Sequence, residues 1–137
     1  MVSKFRYHKD GSLPEIGTEV LVFGSNESGV HGAGAARLAY DCYGAKIRCG
    51  FGPMGNSFAV PTKDWNIGTL SLSDIKFYVN RFIAYTHFKD SHDISYFLTS
   101  LGCGLAGHSP SDIAPMFKDC DPSKFSFPDT WQEFLED

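Results

Sequence analysis

The chain has no excess of basic residues. Twelve Lys plus Arg stand against sixteen Asp plus Glu, a net charge of −4. A general nucleic-acid binder uses cations to neutralise phosphates, so that class is not expected. No apolar run approaches the roughly 20 residues that cross a membrane, and no membrane partner is expected. The opening residues, MVSKFRYHKD, carry charge with no apolar block behind them, unlike a secretory signal. Cys42, Cys49, Cys103 and Cys120 include no C-x-x-C pair, and the five histidines complete no zinc spacing. No metal and no cofactor are expected, and the thiols read as reduced groups in a cytoplasmic protein. Repeats, low-complexity stretches and linkers are absent. What remains is 137 residues, 42% hydrophobic and 15% aromatic, which fits one folded domain without room for a second core.

Glycine is the residue in surplus. Ten of the fourteen glycines cluster at positions 24–34, 50–55 and 102–107, each cluster among or after apolar residues. Strands feeding glycine loops are the natural expectation. Residues 4–8 read as a short edge strand ending at the Asp10-Gly11 turn, and 19–23 as a buried strand. Alanine-rich 33–43 suits a helix with Gly44 as its C-terminal stop. Residues 57–60 read as a strand stopped by Pro61. Ser71-Leu-Ser-Asp74 resembles a capping box, opening a helix whose Ile75, Tyr78, Val79, Phe82 and Ile83 share one face. A β run at 96–101, a short helix at 110–118 and a strand at 125–127 follow. The chain closes on a helical turn at 130–136 with Trp131, Phe134 and Leu135 inward. Alternating strands and helices predict an α/β sandwich, whose ligands sit at the carboxyl ends of strands.

Two of the glycine clusters fall at those ends. In Phe23-Gly-Ser-Asn-Glu-Ser-Gly-Val-His-Gly-Ala-Gly-Ala-Ala36 a strand, a loop and a helix start follow in order. Glycines allow close backbone approach, and a helix start offers free N–H groups, which together suit a phosphate. A P-loop is excluded because no Gly-Lys pair occurs. A dinucleotide fingerprint fails too: Gly32-Ala-Gly-Ala-Ala-Arg37 lacks the third glycine, and no acid lies between Gly50 and Lys63. Gly102-Cys-Gly-Leu-Ala-Gly107 fits a second phosphate-facing loop, so two loops from two strands could grip a pyrophosphate. Lys63 lies just past a strand end, and Asn26 is placed to bond a sugar hydroxyl. His31 and His108 each border a glycine loop.

Asn26, five intervening residues and Gly32-Ala-Gly-Ala-Ala36 resemble the macro-domain signature. Ser100-Leu-Gly-Cys-Gly-Leu-Ala-Gly107 resembles the second loop of the macro branch that includes a chromatin remodeller and the terminal ADP-ribose protein glycohydrolase. Residues 23–36, 61–64 and 102–117 together also resemble an uncharacterised family of phage-encoded non-structural proteins. The resemblance spans about residues 18–135. It implies a three-layer α/β/α sandwich with a mixed sheet and ADP-ribose across the strand ends. Gly32, Ala33, Gly34 and Ala35 would meet the diphosphate from one side, and Gly102, Cys103, Gly104, Leu105, Ala106 and Gly107 from the other. Asn26 would face the distal ribose, Gly24 and Ser25 would line the floor, and Thr62 and His31 would lie near the ligand.

For catalysis the resemblance assigns a lysine after a threonine, matched by Lys63, and an aspartate whose position holds Ala106. Without that acid the route loses a partner commonly worth about 10²–10⁴-fold. Asp64, Asp112 and Glu27 are the nearby acids, none at a matching position, and no adenine-binding aspartate stands out. The expected function is binding of ADP-ribose or a related NAD-derived nucleotide, free or attached to protein or nucleic acid. The alternatives are an ADP-ribosyl hydrolase using Lys63 or Asn26, and a phage structural or assembly factor whose glycines serve only turns. A phage origin would place the protein in the host cytoplasm.

Overall fold

A computed structural model describes residues 4–88, 94–104 and 106–136. Six strands form one sheet in the order β1-β6-β5-β2-β4-β3. They are β1 (Arg6–His8), β2 (Val20–Asn26), β3 (Gly52–Met54), β4 (Ser57–Lys63), β5 (Tyr96–Leu98) and β6 (Phe125–Pro128). Every pairing is parallel except the β3–β4 edge. The carboxyl ends of five strands therefore share one edge of the sheet.

Central β2 is buried on both faces, and its alternating side chains feed two separate cores. Leu21 and Phe23 point to the face covered by α1 (Gly34–Cys42), with Ala36 and Ala39 packed over them. Val22 points to the other face, beneath α2 (Leu72–Phe88). There Ile75, Val79, Phe82 and Ile83 are buried as the helical spacing predicts. The Ser71 hydroxyl accepts from the Asp74 N–H at 3.2 Å, which caps α2. Helices on both faces of a mixed sheet make the expected three-layer α/β/α sandwich. No helix among the described residues is long and apolar enough to cross a membrane.

Several boundaries differ from expectation: β2 runs past 23 to Asn26, and β1 starts at Arg6 rather than residue 4. Pro61 does not stop β4, which runs on to Lys63. Pairing with β3 ends at Gly52↔Ala59, so Pro61 stands beyond that partner and its missing N–H costs no ladder bond. β5 ends at Leu98 rather than 101, because the chain turns there into the second glycine loop. Residues 110–118 form two short pieces, α3 (Pro110–Ile113) and a 3₁₀ turn (Ala114–Phe117), with Pro115 near the start of the second. The last helix, α4 (Gln132–Leu135), follows a 3₁₀ turn that buries Trp131.

Phe82 packs among the rings of Phe58, Tyr96, Phe117 and Phe125, at centroid distances of 4.7, 5.5, 6.5 and 5.8 Å. It is fully buried. Phe82→Ala is expected to cost about 3–5 kcal/mol, read as a lowered midpoint in urea unfolding.

Candidate functional site

The shared carboxyl edge opens into a cleft of about 650 Å³. Its walls come from the segments that follow β1, β2, β4 and β5. Of the residues expected there, Gly24, Ser25, Asn26, Gly32, Ala33, Gly34, Ala35, Thr62, Lys63, Gly102, Gly104 and Ala106 line it. His31, Cys103 and Gly107 do not, and Leu105 lies outside the described residues.

The first loop is shaped by its own backbone. The Asn26 side-chain oxygen accepts from the Val30 N–H at 2.9 Å and the Ser28 hydroxyl at 2.8 Å. Its amide donates to the Val30 carbonyl at 2.6 Å, which leaves one N–H for the cleft. Beneath it, the buried Ser25 hydroxyl donates to the Gly50 carbonyl. A Cβ at Gly50 would stand 2.4 Å from the Asn26 carbonyl oxygen, so only glycine allows this approach. Glu27 turns away from the cleft to accept from the Tyr78 hydroxyl at 2.5 Å. That bond, then burial, pushes the Tyr78 pKa up to about 12. His31 is also turned away: it is buried, donates to the Lys46 carbonyl at 2.8 Å and meets the Phe23 ring edge-on. The loop then delivers residues 32–35 to the start of α1, which has no side-chain cap and no acid in its first turn. Its free N–H groups and positive dipole end face the cleft.

The second wall starts with an irregularity. Ser25 pairs with Pro61 but Asn26 pairs with Lys63, so Thr62 is an extra residue in β4. Such a bulge re-aims the side chains beside it. The Thr62 hydroxyl reaches the Ser25 carbonyl at 3.4 Å, and Lys63 stands at the mouth beside Asn26. Asp64 is spent on the next turn: one carboxylate oxygen accepts from the N–H groups of Asn66 (2.8 Å) and Gly68 (2.9 Å). That turn places Ile67 at φ +65°. A β-branched residue in this region is strained, by about 1–3 kcal/mol.

The third wall is the second glycine loop. Gly102 has φ +78°, and a Cβ there would meet the Ile113 side chain at 3.1 Å. The loop closes through His108 N–H to Gly102 carbonyl, 2.8 Å, and Gly107 N–H to Gly104 carbonyl, 3.0 Å. His108 is structural, donating to the Leu70 carbonyl at 2.9 Å. Cys103 is half-buried against the α2 core, and burial pushes its thiol up to about 11. Ala106 is buried and its carbonyl accepts from the Thr69 hydroxyl at 2.8 Å. Asp112 is exposed, accepts from Ser109, and does not line the cleft.

The fourth wall, 8–13, was not anticipated from the sequence. Asp10 accepts from the Ser100 hydroxyl at 2.6 Å and is the one carboxylate lining the cleft among the described residues. His8 stacks on Phe97, centroids 3.6 Å apart. Its Nε2 donates to the Leu98 carbonyl at 2.9 Å and its Nδ1 accepts from Ser126 at 2.7 Å. Burial lowers its pKa, against smaller opposing contributions from the Leu98 carbonyl and nearby Asp10 and Asp129. The usable signal was the Asp10-Gly11 turn right after a strand. What placed it at the cleft is β1 pairing with β6 from the far end of the chain (Arg6↔Ser126). Among the described residues no cluster of three His, Cys, Asp or Glu could hold a metal.

No protein-family model matches the chain, and no curated protein matches it. Solved structures do. The macrodomain of Mycobacterium tuberculosis DarG aligns over 93% of this chain and 99% of its own, at 19% identity and TM-score 0.60. Thermosipho africanus DarTG, in complex with ADP-ribose, aligns over 88% of this chain at 17% identity and TM-score 0.58. The chain spans only 43% of that protein's length. A Bacteroides thetaiotaomicron protein of unknown function aligns at 15% identity and TM-score 0.54, over 93% of this chain and 99% of that one. The shared architecture is the macrodomain fold.

Gly50→Ala has no flexible neighbour to displace, so it is expected to cost about 2 kcal/mol or more, measured by denaturant unfolding. His8 predicts a pH effect. The unfolded chain takes up a proton near pH 6.5 that the folded His8 resists, so stability falls as pH drops through that value. Thermal melts across pH 5–8 should show this limb, and His8→Gln, which does not titrate, should flatten it.

Proposed function

We propose that the cleft binds ADP-ribose or a closely related NAD-derived nucleotide, free or carried on a protein or nucleic acid. The observation that carries this is convergence. The uncapped start of α1 at residues 32–35 and the second glycine loop at Gly102 and Gly104 line one cleft. Amides from two sides favour a doubly charged diphosphate bridge. The volume of about 650 Å³ falls within the usual range for small-ligand sites. The fold shared with an ADP-ribose-bound protein supports the same ligand class.

The two ends of the cleft then divide the ligand. Asp10, over the end of β5 through Ser100, accepts from the exocyclic amine of the base. Leu13 and Leu38 give that end apolar surface. Asn26 and Lys63, paired across β2 and β4, face the terminal ribose. Asp10 is held by Ser100 at the β5 end, two strand spacings or about 10 Å from the β4 end that carries Lys63. Asp64, Asp112 and Glu27 are committed elsewhere. An amine without a proton partner favours holding the ribosyl bond over cleaving it.

Calorimetry with ADP-ribose is the direct test, and absence of both heat and thermal shift refutes the proposal. Gly32 and Gly104 line the cleft, and a Cβ on either meets nothing within 4 Å. Gly32→Val and Gly104→Val should therefore melt near the wild type yet bind no ADP-ribose. Release of ADP-ribose from modified protein or nucleic acid should not exceed the buffer rate, and Lys63→Ala should leave it unchanged.

A further inference from the structure

Ile67 stands out because nothing local favours it. Its backbone is left-handed, φ +65°, a conformation glycine or asparagine adopts with little strain. Burial does not reward the isoleucine either, since 47% of it is exposed. The turn around it is over-determined. Asp64 accepts from Asn66 and Gly68, the Asp64 N–H donates to the Gly68 carbonyl at 2.8 Å, and the Ile67 N–H donates to the Asp64 carbonyl at 3.2 Å. The Thr69 hydroxyl ties the turn to the second glycine loop through the Ala106 carbonyl. The consequence of that framework is that Ile67 lines the cleft, four residues after Lys63. Val30, also exposed and lining the cleft, hangs from Asn26 on the paired strand end.

We infer that Ile67 is a specificity-determining residue: a strained backbone holds its apolar side chain over the terminal-ribose end of the cleft, where it covers that sugar. The inference rests on the ADP-ribose orientation proposed above. Covering the apolar face of the sugar removes Ile67 surface from water only when the terminal ribose is present. The residue therefore discriminates ADP-ribose from ADP, which ends before that sugar.

Ile67→Asn, Ile67→Leu and wild type are to be titrated with ADP-ribose and with ADP, and melted without ligand. Asparagine suits the left-handed backbone but removes the apolar surface. It should melt at or above the wild-type temperature, bind ADP-ribose about tenfold more weakly and bind ADP as the wild type does. Ile67→Leu, which keeps the apolar bulk, should stay within about twofold for both ligands. Unchanged ADP-ribose affinity in Ile67→Asn overturns the inference, as does an equal loss for both ligands. Loss of the ADP-ribose preference in Ile67→Leu as well also overturns it. A wild type that binds neither ligand refutes the parent proposal instead, and with it the orientation used here.

Discussion

The site depends on backbone packed directly on backbone at the end of β2. The Gly50 α-carbon lies against the carbonyls of Asn26 and Glu27, and the Ser25 hydroxyl bonds the Gly50 carbonyl. Gly29 adds a second approach, where a Cβ would stand 2.3 Å from the Cys49 nitrogen. These contacts leave no room for side chains beneath the first loop, so the loop cannot sink into the sheet. It must rise, and in rising it carries residues 32–35 to an uncapped helix start above the cleft. A buried polar contact of this kind is costly to leave unmade, so it fixes one conformation rather than an ensemble.

Parallel pairing supplies the other half of the constraint. With five strands pointing the same way, every loop leaving a carboxyl end emerges at the same edge. Hydrogen bonds between loops then join them sideways. Asp10 is joined to Ser100, Thr69 to Ala106, and the Glu27 N–H to the Lys63 carbonyl. The walls of the cleft are thus tied to one another before a ligand arrives, which lowers the ordering cost of binding.

The parts legible in the sequence are those where local pattern and final structure agree. The apolar run of β2, the alanines of α1 and the Ser71 cap of α2 each carry their own signal, and residues 24–26, 32–35, 102, 104 and 106 lie in segments marked by glycine. What was not legible depends on distant partners. Asp10 reads as an ordinary turn residue, and only the pairing of β1 with β6 brings it to the cleft. His31 and His108 sit in glycine-rich sequence, yet each ring is used to bond a backbone carbonyl of a neighbouring segment, Lys46 and Leu70. Pro61 looked like a stop because the end of β3, which makes it harmless, has no local signature.

The two ends of the cleft differ in how completely their groups are satisfied, and that difference has a chemical meaning. At the β5 end, Asp10 already holds a hydroxyl donor and His8 has both ring nitrogens bonded and a ring stacked on Phe97. Such groups are oriented and stay put, which suits recognition of a flat base by shape and one acceptor. At the β4 end, Lys63 is half-exposed and Ile67 is held in a conformation its own backbone disfavours. Strain that persists in a turn fastened by Asp64 and Thr69 is sustained by the rest of the fold, and it costs stability that glycine or asparagine would return. A chain of this fold whose purpose was only to fold would lose nothing by that exchange. The proposed contact between the isoleucine and a terminal sugar is what would offset that loss, at the end of the cleft where Lys63 and Ile67 both line the wall.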